Sequence, residues 1–326
     1  MKAWTRVAGM TLVAATVLIP GPAAAQNYPT RPIRMIVPYA PGGNVDISAR
    51  IVGPALTELL GQTVIVDNRP GGGGNVGAGL VAKAMPDGYT LLVGSSGSLS
   101  VNPVVYKDIP YDTVKDFAPV SRVQIVPLVV LVSPRFPVGS VKELIDRSKA
   151  RPGTITVASA GTGTTNHLAI ELFSAMTGAQ LLHVPYKGGG PALSELLGGQ
   201  VNTMFEQLTS SMGFIKEGRL KVIAVTAAKR VASLPDVPTL AESGVPGYEA
   251  STYLGILAPA GAPRDVVMKL NAALRKVMDM PAVQVRFRSL GADPGASSPA
   301  EFGKIIREEL DKWRNLARTA NLKFEP

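Results

Sequence analysis

The chain has no cysteine in 326 residues. Disulfides, thiolate catalysis and zinc-finger chemistry are excluded at once. It has only two histidines, His167 and His183. Neither has a sequence-visible ligating partner, so each is expected as a packed or hydrogen-bonded side chain. Charged residues make up just 17% of the chain, which does not describe a disordered polyelectrolyte. The net charge is +9, but the basic residues are scattered and not interleaved with aromatics, so no nucleic-acid partner is expected. Beyond the first 25 residues no apolar run is long enough to span a bilayer. There is no GxSxG elbow and no HExxH pair, and nothing argues for an enzyme. A cofactor is not expected either. Gly72, Gly74 and Gly77 formally match GxGxxG, but the strand that follows ends in Val93-Gly94-Ser95, without the acidic residue a dinucleotide site needs.

What is present begins with an export signal. Lys2 and Arg6 precede a 13-residue apolar core, VAGMTLVAATVLI, which Pro20-Gly21-Pro22 breaks. Ala23-Ala24-Ala25 then fits a cleavage site. Residues 1–25 therefore read as a secretory signal peptide cleaved near Ala25, with the mature protein in the periplasm. Losing Lys2 and Arg6 lowers the net charge from +9 to +7. A basic exported protein attracts anionic ligands or an anionic membrane surface.

The mature chain alternates strand and helix patterns. IRMIVPY, TVIVDN and YTLLVGSS read as strands separated by helical segments, and Gly61 fits a helix C-terminus. Such βαβ order predicts an α/β fold with mostly parallel sheets flanked by helices. Ala118–Ser133 is a long β-rich stretch with Pro127 inside it. Proline is awkward in a central strand, and a segment crossing between two domains would tolerate it better. Alternation resumes after it. Ser140 and Glu143 form a capping box, as do Ser298 and Glu301. Leu168, Leu172, Phe173 and Met176 mark the apolar face of one helix, and Phe302, Ile306, Leu310, Trp313 and Ala317 that of another. Residues 26–124 and 250–326 are expected to form one lobe. Residues 125–249 are expected as an inserted second lobe, with hinges near 120–130 and 228–252.

Four connections stand out: YAPGGNVD (Tyr39–Asp46), GSSGSLSVN (Gly94–Asn102), SAGTGTTN (Ser159–Asn166) and YKGGGP (Tyr186–Pro191). They hold one positive residue between them, Lys187. Glycine, small hydroxyls and bare backbone are what remain. Unpaired N–H groups and the positive end of the helix dipole bind anions without a cationic side chain. Against this, glycines make tight turns and hydroxyls cap helices, so any single loop is more simply structural. Four such loops shift the balance toward a carboxylate cleft. Asp46 lies near a helix start, where a carboxylate caps N–H groups, and a structural role is expected for it.

The stretches YPTRPIRMIVPYAPGGNVD, NRPGGGGNVGA, AMPDGYTLLVGS, SAGTGTTNHLAIELF, HVPYKGGGPALSELLGGQV, LPDVPTLAESGVPGYEA and GILAPAGAP resemble the substrate-binding proteins of tripartite tricarboxylate transporters, the Bug family. The likeness runs from about Tyr28 to the C-terminus. It implies a two-lobed periplasmic binding protein of the type II, Venus-flytrap kind. It also implies a small carboxylate ligand (a dicarboxylate, an amino acid or an aromatic acid), delivered to the membrane subunits of a secondary transporter by a monomer. By resemblance, the carboxylate is held by Tyr39, Ala40, Gly42, Gly43 and Asn44, and by Ser159, Gly161, Thr164 and Asn166. Ser95, Ser96 and Tyr186 are candidates from the other two loops. Glu206 stands where the family often has aspartate and Tyr253 where tryptophan is frequent; both are expected at the far end of the ligand. A clamshell reporting its ligand to a membrane kinase stays open as an alternative.

Overall fold

The computed structural model describes residues 28–320. The signal-peptide reading lies outside them. Strand β1 (Ile33–Val37) runs into helix α1 (Asn44–Leu60), which ends at Gly61 with φ 67°. Strand β2 (Val64–Asn68) follows, then a 3-10 turn at Gly72–Gly74, α2 (Asn75–Ala82) and β3 (Thr90–Ser95). A π-helical turn, Gly97–Val101, continues into the short α3 (Asn102–Val105). Strands β1, β2 and β3 are parallel, as the βαβ order predicts.

The long β4 (Phe117–Val132) then leads into α4 (Val141–Ala150), β5 (Ile155–Ser159), α5 (Thr165–Thr177), β6 (Leu181–Pro185), α6 (Gly189–Gly198), β7 (Thr203–Gln207), α7 (Leu208–Lys216) and β8 (Lys221–Val225). A Pro- and Gly-rich connection leads to β9 (Ser251–Pro259). The chain closes with α8 (Arg264–Asp279), α9 (Pro281–Ser289), the two-residue β10 (Asp293–Pro294) and α10 (Pro299–Ala320). The π-turn, α7 and β10 have no counterpart in the pattern reading. Each is short, at nine residues or fewer.

The strands form two sheets that share β4. One has the order β2-β1-β3-β9-β4-β10 and the other β6-β5-β7-β4-β8. Pro127 pairs with Ser251 at the last position of the β4–β9 ladder. The next residue, Leu128, pairs with Gln207 in the other sheet. The proline thus sits where β4 leaves one sheet for the other. Thr226 closes the second crossing: its N–H donates to the Leu128 carbonyl, and the Ala250 N–H donates to the Thr226 carbonyl.

Helices cover both faces of each sheet. Phe302, Ile306 and Leu310 of α10 are buried with Leu92, Leu257 and Tyr253. Leu193, Leu208 and Met212 from α6 and α7 share one apolar cluster with Val52, Leu270 and Phe287 from α1, α8 and α9. Phe173 and Leu168 of α5 are buried, but Met176 is exposed. The Ser298 cap is reciprocal, with Glu301 N–H donating to Ser298 Oγ and Ser298 N–H to Glu301 Oε2. At α4, Ser140 accepts from the Glu143 N–H, but the Glu143 carboxylate reaches back to Gly139. No helix among the described residues is long and apolar enough to cross a membrane.

Candidate functional site

The four glycine- and hydroxyl-rich connections leave the carboxyl ends of β1, β3, β5 and β6, and all four meet where the sheets face each other. Tyr39, Gly43, Asn44, Val45, Ser95 and Leu254 from the first sheet line one cavity with Ala160, Thr164, Asn166, Gly189 and Gln207 from the second. Thr165 and Thr252 complete the wall. The space open to the centre of a water-sized sphere is about 20 Å³, roughly one water's worth. Ligands of open α/β sheets bind at such strand ends.

Among the described residues, no lysine, arginine or histidine lines the cavity. Its positive character comes from backbone. Helices α1, α5 and α6 all begin here, and their first N–H groups are the ones a helix cannot pair itself. Asn44 adds a side-chain donor. Its Oδ1 accepts from Gln124 Nε2 at 2.7 Å, while its buried Nδ2 has no partner among the described residues. An unpartnered buried donor beside three helix N-termini suits an anionic oxygen.

The other polar groups hold this shape. Tyr39 Oη donates to the Gly73 carbonyl and lies 3.1 Å from Ser95 Oγ; burial pushes its pKa up to about 12, so it stays a neutral hydrogen-bonding group. Asp46 turns away from the cavity. Its carboxylate accepts from the Gly42 N–H, Arg50 Nε and Asn68 Nδ2. Burial works against its charge, but those bonds win and hold the pKa below the ordinary carboxylate value. It is a clamp on the Tyr39–Gly42 turn, as a helix-start carboxylate is expected to be.

Six of the residues singled out in the sequence line the cavity: Tyr39, Gly43, Asn44, Ser95, Thr164 and Asn166. The remainder lie elsewhere. Ala40 gives its N–H to the Lys187 carbonyl across the interface, and the Gly42 N–H is taken by Asp46. Ser96 bonds Thr165 and Thr252 with its hydroxyl. Ser159 Oγ lies 2.6 Å from His183 Nε2. Gly161 sits against Gly73, and a Cβ added to it would stand 3.0 Å from the Tyr186 carbonyl. Tyr186 is half-buried beside that contact. Glu206 is wholly buried one layer behind the wall, holding Asn166 Nδ2 and Ser210 Oγ. Tyr253 is on the wrong face. Strand alternation sends Thr252 and Leu254 to the cavity and Tyr253 to the opposite side, where its hydroxyl meets Ser100 and its ring meets Phe302. Alternation along TYLG carried that signal, and it names Thr252 and Leu254 instead. Gln207, also missed, is the last residue of β7, the position a strand-end rule points to. The histidines stack on each other at 4.0 Å, packed as expected; burial and the neighbouring His167 push the His183 pKa down to about 4.

The glycine run 71–74 has a mechanical use. Gly73 takes φ 61° and passes so close to the Thr162 carbonyl that a Cβ there would collide with it. Gly190 stands in the same relation to the Pro41 carbonyl. A Cβ at Gly43 would lie 3.2 Å from Gly189 N. Tyr106 adds a hydrogen bond from its hydroxyl to the Thr162 carbonyl at 2.8 Å. The two sheets thus meet backbone to backbone around the cavity.

Two sheets joined by crossing strands, with a cavity between them, are the architecture of a periplasmic binding protein. Solved structures agree. The periplasmic binding protein BugD is 37% identical with a TM-score of 0.88, covering 91% of this chain and 100% of that one. A Rhodopseudomonas palustris protein, Rpa4515, solved with adipate, is also 37% identical with a TM-score of 0.88, covering 91% of this chain and 99% of that one. MatC from the same organism, solved with bound malate, is 32% identical with a TM-score of 0.85, covering 89% and 99%. Among curated proteins, BugT of Bordetella pertussis is 38% identical over 312 residues, 95% of this chain and 96% of that protein. The sequence profile of the tripartite tricarboxylate transporter family receptor matches residues 48–322. The chain belongs to this family of solute-binding receptors, which is not an enzyme family.

Proposed function

We propose that this receptor captures a small organic carboxylate, with dicarboxylates first in line, between its two sheets, and delivers it to the membrane subunits of a tripartite transporter. The observation that carries this reading is the cavity itself. Three helix N-termini and the unpartnered Asn44 Nδ2 converge on it without a cationic side chain. Charge is then recognised by fixed dipoles, which need no counter-ion to be stripped of water. That two relatives were solved with adipate and with malate supports the choice of acid.

In this reading the first sheet, with residues up to about 124 and from about 250, forms one lobe. The second sheet forms the inserted lobe, and β4 and the 226–250 connection are the hinge. The cavity is smaller than any such acid, so entry requires the lobes to part. Gly43, Asn44 and Val45 hold one carboxylate end, while Thr164, Asn166 and Gly189 close over it. The protein works in the periplasm after losing residues 1–25.

A thermal-shift panel on the mature protein tests this, using C4 to C6 dicarboxylates, citrate, acidic amino acids and aromatic acids. At 100 times its dissociation constant a ligand stabilises by about 2.7 kcal/mol, worth about 4 °C in a chain this long. The expected result is a shift confined to a few acids. No shift from any acid, with no acid released from the denatured protein in mass spectrometry, would overturn the reading.

A further inference from the structure

Glu206 is an acid without a counter-ion. It is fully buried on β7, and no ion pair reaches it among the described residues. The groups that face it are Asn166 from α5, Gly189 from α6, Ser210 from α7 and its own neighbour Gln207. None of them carries a charge. Asn166 Nδ2 donates to Oε2 at 2.7 Å. A Cβ added to Gly189 would stand 2.6 Å from Oε1, so the carboxyl lies directly behind the start of α6.

Ser210 exposes the difficulty. Its Oγ is 2.5 Å from Glu206 Oε1 and 2.9 Å from the Gln207 carbonyl oxygen. A hydroxyl has one hydrogen to donate. With Glu206 ionised, the single hydroxyl proton must be shared between these two contacts or leave one of them oxygen against oxygen. With a proton on Oε1 the chain is complete: Glu206 donates to Ser210 Oγ, and Ser210 donates to the Gln207 carbonyl.

We propose that Glu206 carries a proton when the cleft is closed, and that this buried acid makes capture of a carboxylate take up a proton. The second half rests on the carboxylate reading above. Asn166 and Gly189 both line the cavity and both touch Glu206, so an anion held there sits one residue away from it. Two negative charges so close in a dry wall disfavour each other, and the buried acid is the one able to neutralise. Burial already lifts the Glu206 pKa to about 7, near the pH of many assays. Glu206 is thus a positioning residue. Its proton decides whether the wall behind Asn166 and α6 is neutral or negative, and so how well a doubly charged acid is accepted.

Glu206→Gln tests this, because the amide keeps the size, donates to Ser210 and accepts from Asn166 but cannot titrate. One arm needs no ligand. A carboxyl whose folded pKa lies above its unfolded value contributes stability that is full below about pH 4.5 and lost as pH rises through about 7. The melting point of wild type should therefore fall behind that of Glu206→Gln by several degrees between pH 5 and 8.5. A difference that does not change with pH overturns the proposal. Should the variant not fold, the infrared carbonyl band of a protonated carboxyl in wild type at pH 6, absent at pH 8.5, replaces this arm, and its absence at both overturns the proposal. In the second arm, malate and adipate are titrated calorimetrically at pH 6 and 8.5 in two buffers of different ionisation heat. Wild type should take up part of a proton and weaken by up to about tenfold per pH unit above the Glu206 pKa. Glu206→Gln should do neither. Equal pH dependence in both proteins overturns the linkage. If neither acid binds either protein, the dicarboxylate reading fails, and the melts still decide the protonation of Glu206.

Discussion

Val45 and Asp46 are neighbours in the first turn of α1 and face opposite tasks. Val45 lines the cavity, while Asp46 reaches back to hold Gly42, Arg50 and Asn68. At this scale the site is made of what side chains do not supply. Gly43 matters because it has no Cβ, and Gly189 N lies 3.2 Å from where one would be. Gly43→Leu should therefore weaken binding of the cognate acid by at least about 100-fold, equivalent to about 2.7 kcal/mol, while leaving the melting point within about 2 °C. Calorimetry beside a thermal melt checks this. Wild-type affinity in that variant would remove the α1–α6 contact from the site. The cavity residues Tyr39, Gly43, Asn44, Thr164 and Asn166 were legible in the sequence, because glycine and hydroxyl residues after an apolar strand mark a helix start. Tyr253 was misplaced because a single residue type says nothing about which face of a strand it occupies. Thr252 and Leu254, on either side of it, carried that information.

Among the elements, β4 does most to organise the molecule. Its residues up to Pro127 belong to one sheet and those from Leu128 to the other. A proline, which lacks the N–H a ladder needs, sits at the changeover. The terminal helix α10 binds to the first sheet through Phe302, Ile306 and Leu310, and its start is set by the reciprocal Ser298–Glu301 cap. Ser298→Ala should cost about 1 kcal/mol of stability, seen as a fall of about 2 °C in the melting point, with no change in ligand affinity. A melting point equal to wild type would mean that α10 is held by its apolar face alone. Both caps and the 3.6-residue apolar stripe were readable in the sequence. Helix α7 was not, because LTSSMGFIK is short and follows its strand without a glycine or proline to mark a turn.

The two sheets are held together around the cavity by backbone contacts, and no ion pair crosses between them among the described residues. Ala40 meets Lys187, Gly73 meets Thr162, and Pro41 meets Gly190. Tyr106 Oη adds the bond to the Thr162 carbonyl, which exists only while the sheets are together. Tyr106→Phe should therefore act on closing alone. Losing one hydrogen bond of about 1 kcal/mol should lower apparent affinity about fivefold and enlarge the radius of gyration in solution scattering. Affinity and scattering identical to wild type would mean that the bond contributes nothing to closure. The glycine run at 71–74, which looks like a nucleotide fingerprint in the sequence, takes its meaning only at this scale, as the place where one sheet lets the other come near.

By itself the sequence determined the α/β alternation and the strand ends whose glycine- and hydroxyl-rich loops meet at the cavity, and it argued for an anion there. These are local properties: apolar period, caps, and N–H groups that a helix start cannot pair. Only the tertiary structure decided which loop atoms remain free to meet a ligand. Ala40 and Gly42 lose their N–H groups to Lys187 and Asp46, Ser159 turns to His183, and Glu206 withdraws behind Asn166. Each of these partners is distant in the chain or lies on a neighbouring turn. A donor's availability depends on every acceptor that packing brings within about 3 Å, and no run of residues states that in advance.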